Sequence, residues 1–198
     1  MNNPSLRDFQ LTDLARFTKE GKYDSNFNGD WFLYFVGRDN VHEILKYVLS
    51  RVTTSLYLNM FGYDDDELNQ IIMEKVLDPT ITVLITLDKS QAGGVHEKML
   101  IDADQKQSLS DFNSHFVIGQ SATHQISHTK GFVADGKVGG EGSTNWSNSG
   151  EGTFVVTGAP KAQNNTQTIF TDQDAITRFT AELINEHLIA QKQKGKNG

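Results

Sequence analysis

From position 31 onward the apolar residues switch repeatedly between strand-like and helix-like spacing. Residues 31–36 (WFLYFV) form a compact apolar run, the pattern of a strand covered on both faces. Gly37, Arg38, Asp39 and Asn40 then turn the chain and cap a helix in which Val41, Ile44, Leu45, Val48 and Leu49 recur at helical spacing. Residues 55–60 (SLYLNM) read as a strand. Asp64, Asp65 and Asp66 place negative charge at the start of the next helix, where the backbone dipole favours it. Leu68, Ile71, Ile72 and Val76 continue that helix, and Pro79 stops it. Residues 81–87 (ITVLITL) are rich in β-branched side chains and give the clearest strand. A looser section follows, with Gly93 and Gly94 before a helix through Met99, Leu100 and Ile101. Short strands are predicted at 115–118, 127–134, 137–140, 154–157 and 168–170. Asp172 or Asp174 caps a last long helix carrying Ile176, Phe179, Leu183, Ile184 and Leu188 on one face.

Strands alternating with helices predict an α/β domain, a mixed β-sheet sandwiched by helices, over residues 31–192. Residues 1–30 are polar and end in a turn-rich stretch. They read as an appendage in which Leu6, Phe9, Leu14 and Phe17 line a short helix. Residues 193–198 read as a frayed tail. No internal repeat is present.

Composition narrows the classes. The chain has 198 residues, 37% hydrophobic and 22% charged, as expected of one globular domain. It has no cysteine, which excludes disulfides and thiolate metal sites. The start, MNNPSLRDFQ, lacks the basic and apolar regions of a secretory signal, and no apolar run is long enough to span a bilayer. The expected location is cytoplasmic. A net charge of −7 weighs against a surface coated with nucleic acid, although a local basic groove is averaged away in that figure.

The segment that carries chemistry is His128-Thr129-Lys130-Gly131-Phe132-Val133-Ala134-Asp135, followed after six residues by Gly142-Ser143-Thr144-Asn145. In a strand, residues i and i+2 point to the same face, so His128 and Lys130 are expected to project side by side. A turn at Gly136 brings back Ser143 and Asn145 at the same spacing. An imidazole, an ammonium, a hydroxyl and an amide then gather at one spot. Those groups suit a phosphate diester. A histidine, with an ordinary pKa of about 6.5, is a nucleophile near neutral pH. A lysine supplies fixed positive charge, and hydroxyl and amide donate to phosphoryl oxygens as the transition state forms. No carboxylate cluster marks the spot as a magnesium site, so neither metal nor cofactor is expected.

HTKGFVAD with GSTN matches H-x-K-x4-D-x6-G-S-x-N at every fixed position, and so resembles the phospholipase D superfamily. The order of elements from about residue 31 to residue 190 is similar to that of the family's small, single-motif nucleases. The resemblance implies that His128 attacks phosphorus and forms a phosphohistidine. It implies that Lys130, Ser143 and Asn145 bind the phosphate oxygens and that Asp135 organises the local fold. Glu151, six residues after Asn145, stands where those nucleases carry an acidic residue that orients the histidine. Family members set two histidines face to face, one attacking while the other protonates the leaving oxygen. This chain has one copy of the motif, so the resemblance implies a homodimer. Two departures stand out. Gly139, Gly140 and Glu141 fill a stretch that is more apolar in relatives, and residues 163–167 lack the acidic residue usual in an Asn-rich turn. Residues 158–167 look like an enlarged loop that rims the cleft.

Other candidates are weaker. His96-Glu97-Lys98 also spells H-x-K, but Ala103 occupies the aspartate position and no G-S-x-N follows, so a solvated helix start is expected. His42, His115 and His124 match no zinc spacing. The acidic run from Asp64 to Glu67 resembles a cation site but is explained by a charged helix start. Trp146 either stacks on a base beside the site or packs beneath the motif. Size and the single motif favour nucleic acid as substrate, with Lys89, Lys98, Lys130, Lys137 and Lys161 lining a groove. A phospholipid diester, or nucleic-acid binding without cleavage, are the alternatives.

Overall fold

The computed structural model describes residues 5–24, 27–90, 93–107, 114–152, 155–156, 159–160 and 162–194. After a 3-10 helix at Leu11–Phe17 come β1 (Trp31–Phe35), α1 (Val41–Leu49), β2 (Ser55–Met60), β3 (Tyr63–Asp64) and α2 (Asp66–Leu77). Next are β4 (Thr82–Asp88), α3 (Val95–Gln107), β5 (Ser114–Gly119), β6 (Gly131–Ala134) and β7 (Val138–Gly142). The chain ends with β8 (Trp146–Ser147), α4 (Asn148–Glu151), β9 (Val155–Val156), β10 (Ala159–Pro160), β11 (Thr166–Phe170) and α5 (Gln173–Lys194).

Seven strands form one sheet in the order β1-β11-β7-β6-β2-β4-β5. The β2-β4-β5 part is parallel, and β6, β7, β11 and β1 continue it in antiparallel fashion. The sheet is therefore mixed, as the alternation of elements predicts. Alternate residues of β6 enter different cores. Phe132 and Ala134 join the larger one, with α1 and α2, whereas Val133 joins Phe170, Ile176 and Leu183 beneath α5. Helices thus cover both faces. β3 pairs with β8 in a separate two-stranded piece, which places residues 62–64 against residues 145–147.

Several expectations change. β1 reads as doubly covered, yet it is an edge strand with Trp31 59% and Phe35 38% exposed. The N-terminal segment packs into the main core through Leu6, Leu11 and Leu14. The supposed tail begins inside α5, where the Gln193 amide donates to the Gln120 and Ser121 carbonyls at 3.1 and 3.0 Å. Of the predicted loop 158–167, Thr166 and Gln167 belong to β11, and 159–160 pair with 155–156. Residues 158 and 161 lie outside the described residues. Gly139 and Gly140 do not loosen β7. The rings of Phe170 and Phe132 lie where side chains at these positions would be, so only glycine admits this packing.

Candidate functional site

The hairpin β6–β7 carries the motif, and its two ends do different things. At the turn, Asp135 and Gly136 both have positive φ, 52° and 61°, the conformation that an Asp-Gly pair supplies to a tight hairpin. The Asp135 carboxylate accepts hydrogen bonds from the Thr53, Thr54 and Ser55 amides and from both threonine hydroxyls, at 2.8 to 3.1 Å. Its own amide donates to the Ser55 carbonyl. Asp135 clamps the turn to the start of β2. It stands about 13 Å of strand from the His128 end, so it acts as the organiser the resemblance implies and not as an acid or base at the histidine.

At the other end, the ladder between β2 and β6 closes at Asn59 and Gly131. Residues 127–130 lie beyond it and are irregular, not the strand expected there. They are held by side chains instead. Asp88, at the end of β4, accepts from the Ser127 amide at 2.5 Å. Glu186 of α5 accepts from the Thr129 hydroxyl at 2.7 Å and from the Asn59 amide. Between these two tethers His128 is exposed, with its ring edge-on to Phe61 at 4.7 Å between centroids. Lys130 is buried. Its ammonium donates to the His128 carbonyl at 3.0 Å and lies 5.0 Å from the Phe61 ring centre. Burial pushes this ammonium below the ordinary lysine range.

β7 and the chain after it return the remaining donors. Ser143 accepts from the Thr166 amide at 3.0 Å and donates to Asn165 Oδ1 at 3.1 Å. Asn145 Oδ1 accepts from the Gly62 amide at 3.2 Å. That bond fixes the side chain so that Nδ2 is the group left to donate. His128, Lys130, Ser143 and Asn145 therefore meet at the carboxyl end of β2, where ligands of open α/β sheets bind. A cavity of about 600 Å³ opens beside His128, lined by Ile126, Thr129, Glu182, Asn185, Glu186 and Ile189 among others, with no lysine or arginine.

Trp146 does not stack on a base. It is 1% exposed and packed against Tyr63 and Phe132, with ring centres at 6.3 and 6.0 Å, so it holds β8 under the motif. Lys137 does not join the expected groove of lysines. It sits at the Asp135 end with its ammonium on the Arg7 carbonyl, and Lys161 lies outside the described residues. His96 is not a solvated helix start but is buried beside Asp66 and Asp64, at 2.8 and 3.2 Å.

Glu151 does not reach His128. Its Oε2 pairs with His42 Nδ1 at 2.6 Å, and its Oε1 is buried without a partner. Burial raises its carboxyl to about 7. Burial also opposes charge on His42, but Glu151, Glu67 and Asp65 outweigh it and lift the imidazole to about 9. The surroundings of His42 call for positive charge.

The architecture is shared with solved structures. NucT from Helicobacter pylori superposes with a TM-score of 0.60 at 16% identity, over 79% of this chain and 94% of that one. Nuc from Salmonella typhimurium, a phospholipase D family member, gives 0.57 at 12%, over 79% and 93%. The chain shares the fold of these two proteins. Phosphatidylserine synthase from Haemophilus influenzae matches as well, with a TM-score of 0.58 at 16% identity, over 79% of this chain but 36% of the synthase. No protein-family model and no curated protein sequence matches this chain. Within this fold, the residues that sequence reasoning missed are Phe61, Asp88 and Glu186. Phe61 directly follows a predicted strand, a position where site residues collect. The other two sit on separate elements with no local pattern to mark them. No helix among the described residues is long and apolar enough to cross a membrane.

Proposed function

We propose that this chain is a metal-independent phosphodiesterase that cleaves nucleic acid through a covalent phosphohistidine, in an active site completed by homodimerisation. The observation that carries the reading is the convergence of exposed His128, buried Lys130 and the free Asn145 amide donor at one end of the sheet, whereas the Ser143 hydroxyl is already donated to Asn165. His128 attacks phosphorus, a P–N bond forms, and the P–O bond to the leaving alcohol breaks. The partner subunit's His128 gives that oxygen its proton, then takes a proton from water as the water attacks phosphorus and the P–N bond breaks. Lys130 and the Asn145 amide hold the phosphoryl oxygens while charge builds on them. The single motif favours nucleic acid, and 79% of this chain superposes on 93% of Nuc and 94% of NucT.

The lipid reading draws on one observation of its own. The cavity beside His128 holds Glu182 and Glu186 and no basic residue, which suits an alcohol without further phosphates. The test is incubation of the full chain with labelled single- and double-stranded DNA and RNA in EDTA, with His128→Ala alongside and phosphatidylcholine vesicles in parallel. Activity is scored well below the melting temperature measured in EDTA, so that loss of fold is not read as loss of chemistry. Cleavage of nucleic acid by wild type alone is expected. Activity in His128→Ala would sink the mechanism, and binding without cleavage would reduce the chain to a nucleic-acid-binding module. Vesicle hydrolysis without nucleic-acid cleavage would transfer the reading to lipid. Light scattering showing only monomer at micromolar concentration would remove the dimer.

A further inference from the structure

His42, Asp65 and Glu151 come from three elements far apart in sequence: α1, the residue capping α2, and α4. All three are buried, at 6%, 2% and 2% exposure, and one ligand atom from each lies within 4.8 Å of the others. The ordinary explanation is an ion pair between an imidazolium and Glu151. It leaves two things unanswered. Glu151 Oε1 is buried with no partner, and a desolvated carboxylate oxygen left so is costly. The charge is also unbalanced. His42 can bring one positive charge against two buried carboxylates. A third, Glu97, 4% exposed and with Oε2 unpartnered, lies near enough that all three act on the Tyr63 hydroxyl.

We infer that His42, Asp65 and Glu151 form a structural site for one divalent transition-metal ion of the Zn²⁺ or Mn²⁺ kind. The donor set suits such an ion, since imidazole nitrogen with carboxylate oxygen is what borderline and moderately hard divalent cations take. The arrangement around His42 agrees. Its Nε2 meets Glu67 at 3.1 Å, and Glu67 is neutralised by Lys46 at 2.5 Å. A carboxylate on the outer nitrogen fixes the tautomer whose Nδ1 lone pair faces Asp65 and Glu151, as in carboxylate–histidine–metal sites. Asp65 spends Oδ1 on the Leu68 amide at 2.7 Å and has Oδ2 turned toward His42, 3.5 Å from Nδ1. The ion takes no part in cleavage. It ties α4, directly after the motif, to α1 and to the cap of α2, and so backs the β3–β8 piece that Gly62 and Asn145 directly precede.

The site is independent of the phosphodiesterase reading and is tested without substrate. The full chain is stripped with a chelator, its fold is checked by circular dichroism, and Zn²⁺, Mn²⁺ or Mg²⁺ is returned alone. The expectation is about one Zn²⁺ or Mn²⁺ per chain by atomic spectroscopy. At a hundredfold excess over Kd, Tm rises by about 5–10 °C, with little response to Mg²⁺. Asp65→Asn keeps the helix cap and Glu151→Gln keeps the shape, so both fold, and both lose the rise. Glu43→Gln keeps it. Absence of bound ion together with an unmoved Tm would overturn the site. So would a full rise in Glu151→Gln, or its loss in Glu43→Gln, which would place the ion on the exposed group His42, Glu43 and Glu67.

Discussion

The two ends of the β6–β7 hairpin differ in how fully their polar groups are used. At the Asp135 end one carboxylate takes five donors, from Thr53, Thr54 and Ser55. At the His128 end the imidazole is exposed and touches only Phe61 among the ring contacts of the described residues. A group that must exchange bonds with a substrate cannot also spend them on the scaffold. The aspartate of the motif fixes the hairpin so that the histidine and lysine, a strand's length away, are delivered without being consumed. The same four-residue strand separates stability from chemistry.

The comparison breaks most visibly at its chemical end. His128→Ala is expected to lower kcat on the order of 10⁴-fold, read with a chromogenic phosphodiester, while Tm stays within about 1 °C. Lys130→Met should cost about 10²–10³-fold in kcat, because a transition-state charge contact is lost. Its stability should hold or rise, since a buried ammonium with no carboxylate partner among the described residues is removed. Asp135→Ala should do the reverse. Loss of its five donors is expected to cost about 2–3 kcal/mol by urea denaturation, or about 4–10 °C in Tm, with kcat per folded molecule changed less than about threefold. If Asp135→Ala loses activity as deeply as His128→Ala while folded, the two ends are not separable. The alkaline limb of kcat/KM sharpens the point. Lys130 works as a cation and burial lowers its pKa, so activity should fall as pH rises through a midpoint below 10.5, the ordinary lysine value. The smallest effect expected is that of Trp146→Phe, about 1–2 kcal/mol of stability with kcat/KM nearly unchanged, since this ring packs and does not bind.

Much of the scaffold was legible because long elements have a period. β2, β4, α1 and α5 follow runs of apolar residues, and the boundaries of β2, β4 and α1 and the start of α5 fall within one or two residues of the prediction, while α5 runs on to Lys194. The hairpin that sets the chain around Lys130 beside Gly142 could be read from the turn at Asp135 and Gly136. What the sequence concealed lies in pairings without a period. β3 and β8 have two residues each and no pattern to detect. Glu151 finds His42 across 109 positions, so proximity in sequence to the motif misassigned it to His128. Thr129 and Ser127 are tethered by acidic residues on α5 and β4, and that is why residues 127–130 leave the strand the pattern predicts. The exposed Trp31 shows the converse error. An apolar run gives the strand but not whether anything covers it.

β11 lies between β1 and β7, pairing Trp31 with Phe170 and Gly142 with Gln167. During synthesis, then, the first strand of the sheet waits for a neighbour made more than a hundred residues later. Until residue 170 has left the ribosome, β1 has no partner in the sheet and the hairpin bearing His128 has one flank open. Contacts this distant in sequence form slowly. A nascent or truncated chain therefore carries the full motif in its sequence on a sheet that still lacks two of its seven strands.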